Sequence, residues 1–163
     1  VIDEILESKN IDRVLNKINI KLVPKLSSNS NVLFNSEFSS GYAGYMAFDK
    51  NYGSYWCTLN GEINNSYIGY DVQNKSKVYF ASFYNGSENK YCAKVITLQC
   101  SDDNVNWKDA SDDITLNNVS KTTCIKNTKE IENSYRYWRI LVKSCYNSDY
   151  VGSSEVQFYG IKE

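Results

Sequence analysis

The fold prediction starts from residues 47–56, which read AFDKNYGSYW. This segment holds a carboxylate, an amide and a hydroxyl between two bulky aromatics, Phe48 and Trp56. Several oxygen donors at close spacing suit a hard cation, and the flanking rings would anchor the loop on an apolar core. Asp, Asn and Ser are also the residues of ordinary turns, because their side chains bond the local backbone. The segment alone therefore leaves an ion site and a plain turn as alternatives.

The composition limits the class of protein. A chain of 163 residues is long enough for one domain with a sizeable core plus an extension. Its 18 basic and 19 acidic residues nearly balance, so we expect no attraction to nucleic acid or to an anionic membrane surface. The 14 tyrosines suit both β-structure and polar binding surfaces. The sequence shows neither a membrane-spanning segment nor a signal-peptide apolar stretch, and we expect no membrane insertion.

Histidine is missing from the chain, which carries five cysteines: Cys57, Cys92, Cys100, Cys124 and Cys145. Without histidine there is no Ser-His or Cys-His nucleophile pair and no His-containing zinc site. The cysteines are odd in number, widely spread and without a CxxC pair, so they do not indicate a disulfide framework. We therefore expect folding in a reducing cytoplasm with free thiols, and one or two bridges stay open as an alternative.

Residues 1–20 differ in pattern from the rest of the chain. Their apolar residues recur at steps of three and four, with charged and polar residues between them, which predicts an amphipathic helix. The apolar stripe would pack either on its own domain or on copies of itself, as in a coiled-coil stub that forms a homotrimer. Pro24 disfavours helix at the preceding residue. We therefore place a linker at 21–31 and a single β-domain at 32–163.

From residue 32 onward, short apolar runs alternate with Gly, Asn, Asp and Ser. Many short strands at such spacing predict an all-β sandwich or barrel. The run 135–143 shows the clearest alternation, with Arg136, Trp138, Ile140 and Val142 on one face. The predicted strands are 32–38, 67–72, 78–84, 94–100, 114–116, 135–145 and 155–161.

Three further stretches accompany residues 47–56: SDDNVNW at 101–107, YRYWRI at 135–140 and SEVQFYG at 154–160. In this order, the four stretches resemble the motifs of discoidin-like domains, which include the coagulation-factor type C domains and the family 32 carbohydrate-binding modules. In that family the second motif is a tight turn before a buried Trp. The resemblance covers roughly residues 32–161. It implies a discoidin-like jelly-roll sandwich of the galactose-binding-domain type, with loops gathered at one end.

The resemblance also implies a structural calcium ion, held between the first and last motifs. The ligands would be three side chains and three backbone carbonyls: Asp49, Ser54 and Glu155, and Met46, Asn51 and Ser154. Two carboxylates with neutral oxygens suit calcium. Lys50 stands where the family has glycine. Its ammonium group would either weaken a nearby cation or point to solvent.

The sugar site is where the resemblance is weakest. Galactose-binding members use a His after the motif tryptophan and an Arg after the next strand pair, and these places hold Cys57 and Tyr84 here. The standard galactose contacts are therefore missing. The loops still carry aromatic rings, which can stack on a sugar face, and amides, which can bind its rim. The predicted ligand contacts are Tyr42, Tyr45, Tyr84, Asn85, Asn89, Tyr91, Tyr146, Asn147 and Tyr150.

The predicted function is a non-catalytic module that recognises a cell-surface glycan. No enzyme is predicted, because neighbouring carboxylates such as Asp102 and Asp103 point apart in a turn and do not flank a substrate bond.

The segment LVPKLSSN at 22–29 resembles the modular tail proteins of phages and prophages that infect Gram-positive bacteria. This implies a receptor-binding protein or adhesin at a virion tail or outside the cell, assembled in a reducing cytoplasm. Two alternatives stay open. One is a structural or protein-interaction domain of such an assembly, and the other is an accessory module of a secreted glycoside hydrolase.

Overall fold

The structure is a computed structural model, and it describes residues 20–163. In this range there are two 3-10 helices, Ser40–Tyr42 and Gly44–Ala47. The strands are β1 Val32–Phe34, β2 Trp56–Cys57, β3 Ser66–Asn85, β4 Ala93–Ser101, β5 Lys108–Asp109, β6 Ile114–Thr115, β7 Thr122–Lys126, β8 Tyr135–Cys145 and β9 Gly152–Lys162. The helix predicted for 1–20 lies outside the described residues apart from Ile20. Neither helix within 20–163 has the length and apolar character needed to cross a membrane.

The long strand β3 belongs to both layers of the sandwich. Its first half, up to Asp71, pairs antiparallel with β1 and β8. Its second half pairs antiparallel with β7 and β9. Between the halves, the register with β8 shifts and Gln73 has a left-handed φ of 68°. Such irregularities bend a strand, so the two runs predicted at 67–72 and 78–84 are one bent strand.

The core lies between the layers and contains the alternating face predicted for β8. Trp138, Ile140 and Val142 are fully buried. Arg136 was predicted on the same face but is exposed, as expected of a charged side chain that is costly to bury, and its guanidinium group donates two hydrogen bonds, of 2.8 and 2.9 Å, to the carboxylate of Asp71. Burial of each large side chain contributes about 1.5–3 kcal/mol to stability.

Residues 47–56 are anchored on this core as their aromatic residues predict. Phe48 and Trp56 are 1% and 0% exposed. The indole N–H of Trp56 donates a 2.8 Å hydrogen bond to the carbonyl of Ser36, which satisfies its one polar group. The loop between these two rings is thus fixed at both ends.

The turn at 101–107 forms as the motif implies, but its tryptophan is only half-buried. The carboxylate of Asp103 accepts hydrogen bonds from the backbone N–H groups of Val105 and Asn106, at 2.9 and 2.8 Å. The Trp107 ring is covered by the guanidinium group of Arg139, 3.9 Å from the ring centroid. The motif implies a tryptophan buried in the core. In this structure the indole of Trp107 lies on the outer face of the sheet instead, where the arginine stacks on it.

The first part of the predicted linker 21–31 is packed against β9. Leu22 and Val23 are 2% and 1% exposed. The backbone N–H of Leu22 donates to the carbonyl of Phe158 at 2.9 Å. The Gln157 side chain bonds both the N–H and the carbonyl of Val23, at 3.0 and 2.9 Å. The sandwich therefore begins before residue 32, with an extended segment that covers one edge of β9.

Candidate functional site

Five aromatic rings from the loops of the sandwich enclose a cavity of about 160 Å³, which the thiol of Cys57 also lines. Each ring contacts the next, with centroids 5.1–6.1 Å apart, and the series closes on itself. In order around the cavity, the rings are Phe38, Tyr42, Tyr55, Tyr91 and Tyr150. We name this arrangement the aromatic cup.

The side chains that form the floor of the cup are determined by the alternation of side chains along an extended strand. Trp56 points into the core, so its neighbours Tyr55 and Cys57 point the opposite way, into the cup. The backbone N–H of Phe38 donates to the carbonyl of Cys57 at 2.7 Å, which holds the Phe38 segment beside the floor. Phe38 itself is 48% exposed and forms part of the rim.

Tyr91 is held in a backbone conformation that is rare for a bulky residue. Its φ is 58°, in the left-handed region. The N–H of Gly152 donates to the carbonyl of Tyr91 at 3.1 Å, and a tight turn closed by Ser87 and Lys90 precedes it. Strained residues of this kind persist where the surroundings fix them, and they cluster at functional sites. The strain places the Tyr91 ring between the rings of Tyr55 and Tyr150.

The cup is lined by neutral groups. Its wall has five aromatic rings and a thiol, with no carboxylate and no amine. Burial raises the pKa of the Cys57 thiol to about 11. Burial, together with Tyr42 and Tyr91, raises the pKa of the Tyr55 hydroxyl above its ordinary range. Both groups therefore stay protonated near neutral pH, and the cavity has the space of roughly five water molecules, enough for one small ring.

A second depression, which we name the polar groove, adjoins the cup and has a volume of about 480 Å³. The cup and the groove share Tyr91 and Tyr150, whose rings meet edge to face at 5.6 Å. The remaining lining is largely polar: Asn89, Lys90, Cys92, Asn118, Tyr146, Asn147 and Asp149. A ligand that crosses the Tyr91–Tyr150 pair would contact both depressions.

The structure brings six of the nine predicted contacts to the cup or the groove: Tyr42, Asn89, Tyr91, Tyr146, Asn147 and Tyr150. Tyr45 and Tyr84 line neither. Tyr45 lies in the 3-10 helix Gly44–Ala47, and Tyr84 packs edge-on against Tyr52 at 5.0 Å. The Tyr84 ring is thus engaged by Tyr52 outside the two depressions.

Asn85 is buried in the scaffold, so it is not available for the ligand contact that was predicted. It is 1% exposed. Its amide nitrogen donates to the carbonyls of Ala93 and Asn117, both at 3.1 Å, and its amide oxygen accepts from the N–H of Ala93 at 2.7 Å. Its amide thus ties the end of β3 to the start of β4 and to the segment between β6 and β7.

The sequence prediction missed Phe38 and Tyr55 as cup residues. A signal for Tyr55 was present, because a buried Trp56 in an extended strand turns both of its neighbours outward. Phe38 had no such signal, since its partner Tyr150 is far away in the chain.

Three of the six predicted calcium ligands contact one another within the loop 49–54. The carboxylate of Asp49 accepts a hydrogen bond from the N–H of Asn51 at 3.0 Å and another from the Ser54 hydroxyl. The same hydroxyl lies 3.1 Å from the carbonyl oxygen of Asn51. These oxygens converge on one side of the loop. Met46 lies in the preceding 3-10 helix, and Ser154 precedes Glu155 in β9.

Glu155 meets this loop from β9. Its carboxylate accepts a 3.1 Å hydrogen bond from the backbone N–H of Lys50, which has a left-handed φ of 58° at the position where the family has glycine. Burial, with the nearby charge of Asp49, raises the pKa of Glu155 to about 7, against the lowering effect of Lys50 and Lys21. A half-buried carboxylate whose charge is disfavoured next to Asp49, with neutral oxygens beside it, fits a calcium ion. When bound, the ion would supply the positive charge that this pair lacks.

A protein-family model described as the F5/8 type C domain matches residues 26–156. The chain belongs to the F5/8 type C domain family. This confirms the discoidin-like resemblance of the four motifs, and the match begins inside the segment predicted to be a linker. No curated protein sequence matches the chain.

Solved structures share the sandwich of this F5/8 type C domain. Chitosan-binding module 1 of a chitosanase/glucanase from Paenibacillus sp. IK-5 is 19% identical with a TM-score of 0.70, covering 86% of this chain and 99% of that one. Module 2 of the same enzyme, in complex with chitotriose, is 17% identical with a TM-score of 0.69, covering 85% and 99%. The family 32 module of C. perfringens NanJ, in complex with galactose, is 13% identical with a TM-score of 0.65, covering 80% and 95%. The predicted discoidin-like, galactose-binding-domain-like fold is confirmed.

Proposed function

We propose that this F5/8 type C domain is a non-catalytic glycan-binding module and that one sugar ring binds in the aromatic cup. The observation that carries the proposal is the closed circle of five aromatic rings around an uncharged cavity. Aromatic faces suit the apolar faces of a sugar, and the Tyr42, Tyr55, Tyr91 and Tyr150 hydroxyls can bind its rim. The solved relatives that carry chitotriose and galactose support the same class of ligand.

The chemistry of the cup supports binding without catalysis. Most glycoside hydrolases use two carboxyl groups that flank the bond to be cleaved, and the cup wall has none. The one nucleophilic group in the wall is the thiol of Cys57, and burial keeps it protonated by raising its pKa to about 11. A ring held in this cup would therefore be bound and released unchanged.

We also propose that calcium binds between the loop 49–54 and β9. The side chains of Asp49, Ser54 and Glu155 would hold it, together with the carbonyls of Met46, Asn51 and Ser154. Ser54 directly precedes Tyr55 of the cup. An ion at this position would therefore fix the loop that carries one cup ring and clamp it to β9.

The setting that we propose is extracellular, as part of a larger protein that brings the module to a glycan surface. The Paenibacillus relatives are modules of a chitosanase/glucanase, which supports the alternative of an accessory module over that of a phage-tail tip. The tail setting, the protein-interaction alternative and the homotrimer stay predictions from the sequence.

The test is a glycan array followed by titration calorimetry with the best glycan. We expect binding that free sugar competes away and that leaves the sugar chemically unchanged. Absence of binding to every glycan, together with capture of a protein partner that resists excess sugar, would replace this proposal by the protein-interaction alternative.

A further inference from the structure

The polar groove is three times as large as the cup and shares two of its rings, so the two depressions adjoin and have together more space than one sugar needs. The volumes are about 480 and 160 Å³, and the shared rings are Tyr91 and Tyr150. A sugar in the cup therefore has the groove next to it, across an edge-to-face pair of rings. The chemistry of the groove then determines which neighbouring sugar fits.

Two amides in the groove have their oxygens engaged by the backbone. The amide oxygen of Asn147 accepts hydrogen bonds from the N–H groups of Asp149 and Tyr150, at 2.6 and 3.1 Å. The amide oxygen of Asn89 accepts from the N–H of Ser120 at 3.1 Å. Neither amide nitrogen donates a hydrogen bond to another group within residues 20–163. Because the oxygens fix the orientation of both amides, each presents its NH₂ group as a donor.

The groove also contains one charge of each sign and an aromatic wall. Lys90 and Asp149 both line it, so its charges balance and a carboxylate-bearing sugar would gain no net attraction from them. The hydroxyl of Tyr146 is used in a 2.6 Å hydrogen bond to the carbonyl of Leu116, and the ammonium group of Lys94 lies 5.7 Å from the centroid of its ring, so the ring face away from Lys94 is the contact surface that remains. The groove thus has amide donors, a carboxylate acceptor and apolar ring faces.

We propose that the polar groove is a second sugar subsite that selects an acetamido group. The carbonyl of an acetamido group would accept from the NH₂ groups of Asn89 and Asn147, its N–H would donate to Asp149, and its methyl group would pack on the Tyr146 ring. A hydroxyl in the same position lacks the carbonyl and the methyl group. This inference rests on the proposed function, because the first sugar must sit in the cup.

The test uses disaccharide pairs that differ only by acetamido groups in place of hydroxyls: N-acetyllactosamine against lactose, which differ at one position, and N,N′-diacetylchitobiose against cellobiose, which differ at one position on each ring. Titration calorimetry should show at least one acetamido member bound about threefold to tenfold more tightly than its hydroxyl twin. Equal affinities within both pairs would overturn the acetamido subsite while leaving the cup as a sugar site. A cellobiouronic acid that binds more tightly than diacetylchitobiose would overturn it in favour of a carboxylate. Absence of binding by all of these sugars and by the array would remove the proposed function as well.

The variants Asn147→Asp and Asn89→Asp separate the subsite from the scaffold. A carboxylate keeps the acceptor oxygen that the backbone uses but loses the NH₂ donors. Each should reduce the preference for the acetamido member to less than half, with the affinity for the hydroxyl twin changed less than twofold. Asn64→Asp adds the same charge at an exposed position outside the groove and should leave the preference intact. Unchanged preference in both groove variants, with wild-type melting temperatures, would contradict the assignment of the donors.

Discussion

The backbone N–H of Lys50 donates a 3.1 Å hydrogen bond to the half-buried carboxylate of Glu155. This contact joins the loop between the two anchoring rings, Phe48 and Trp56, to the last strand of the sandwich. The same strand holds the cup, since Gly152 of β9 pairs with Cys57 and bonds the carbonyl of Tyr91. The proposed ion site and the proposed sugar site are therefore two parts of one hydrogen-bonded frame.

Calcium should stabilise the domain through Glu155. At a calcium concentration a hundredfold above the dissociation constant, we expect a rise in melting temperature of about 5–10 °C, because the ion binds only the folded chain. EDTA should reverse the rise, and Glu155→Gln should abolish it. Differential scanning calorimetry with and without calcium measures the effect.

Glu62→Gln is the matched control for this prediction, because Glu62 is an exposed glutamate outside the loop. It should keep the full calcium response. A melting temperature that is insensitive to calcium in the wild-type protein would contradict the ion site and leave the 49–54 loop as a plain turn.

The metal-free domain should become less stable as pH rises through neutrality. The pKa of Glu155 is about 7 in the folded state, against an ordinary value of 4.5. Because the folded state binds this proton more tightly than the unfolded state does, the protonated Glu155 contributes to the stability of the fold. This contribution is complete at pH values below the ordinary pKa of 4.5 and is lost as the pH rises through the folded-state pKa of about 7. After allowance for partial exposure, the loss is about 1–2 kcal/mol.

The measurement for this pH dependence is urea unfolding in EDTA at pH 5 and pH 8. The Glu155→Gln variant has no titrating group at this position. Its difference in unfolding free energy between pH 5 and pH 8 should therefore be smaller than that of the wild-type protein by about 1–2 kcal/mol. An equal pH dependence in wild type and variant would show that Glu155 has an ordinary pKa.

Removal of one ring should open the cup and weaken sugar binding. In Tyr91→Ala we expect an affinity for the best glycan of the array about tenfold lower, because the ring contacts two cup neighbours and lines the cavity. Tyr91→Phe keeps the ring and should retain most of the affinity. Tyr137→Ala removes a half-buried tyrosine on β8, outside the cup, the groove and the loop 49–54, and should bind as wild type. Titration calorimetry distinguishes these outcomes, and equal weakening by Tyr137→Ala would contradict the assignment of the sugar site to the cup.

The parts of the fold that could be predicted from sequence are those with a repeated local signal. In β8 the alternation of Trp138, Ile140 and Val142 extends over enough residues to be visible, and its bounds were predicted correctly as Tyr135–Cys145. The strands β2 and β5 have two residues each, too few to show an alternation of buried and exposed side chains. In β7 only Ile125 is buried, so no alternation marks that strand either.

The candidate site was predicted only in part, because contacts between loops depend on tertiary pairing. Tyr91 and Tyr150 were expected at the ligand end and meet there. Asn85 lies in a loop-like sequence but is buried, since its bonding partners Ala93 and Asn117 reach it through the fold. Nothing local distinguishes an amide that faces solvent from one that bonds the backbone.

Gly152→Ala should disturb the fold and the sugar site together. A Cβ at this residue would overlap the carbonyl oxygen of Trp56 on the paired strand, and a backbone atom cannot move aside as a flexible side chain can. We expect a loss of about 1–3 kcal/mol in unfolding free energy, measured by urea denaturation. Sugar affinity should fall in the variant protein that stays folded, because Gly152 also bonds the carbonyl of Tyr91.

Gly41→Ala is the control for stability, since its Cβ would lie 3.6 Å from the Ser39 hydroxyl, an ordinary contact. Wild-type stability of Gly152→Ala would mean that β2 and β9 are not as closely paired at the cup floor as the register of Cys57 with Gly152 requires.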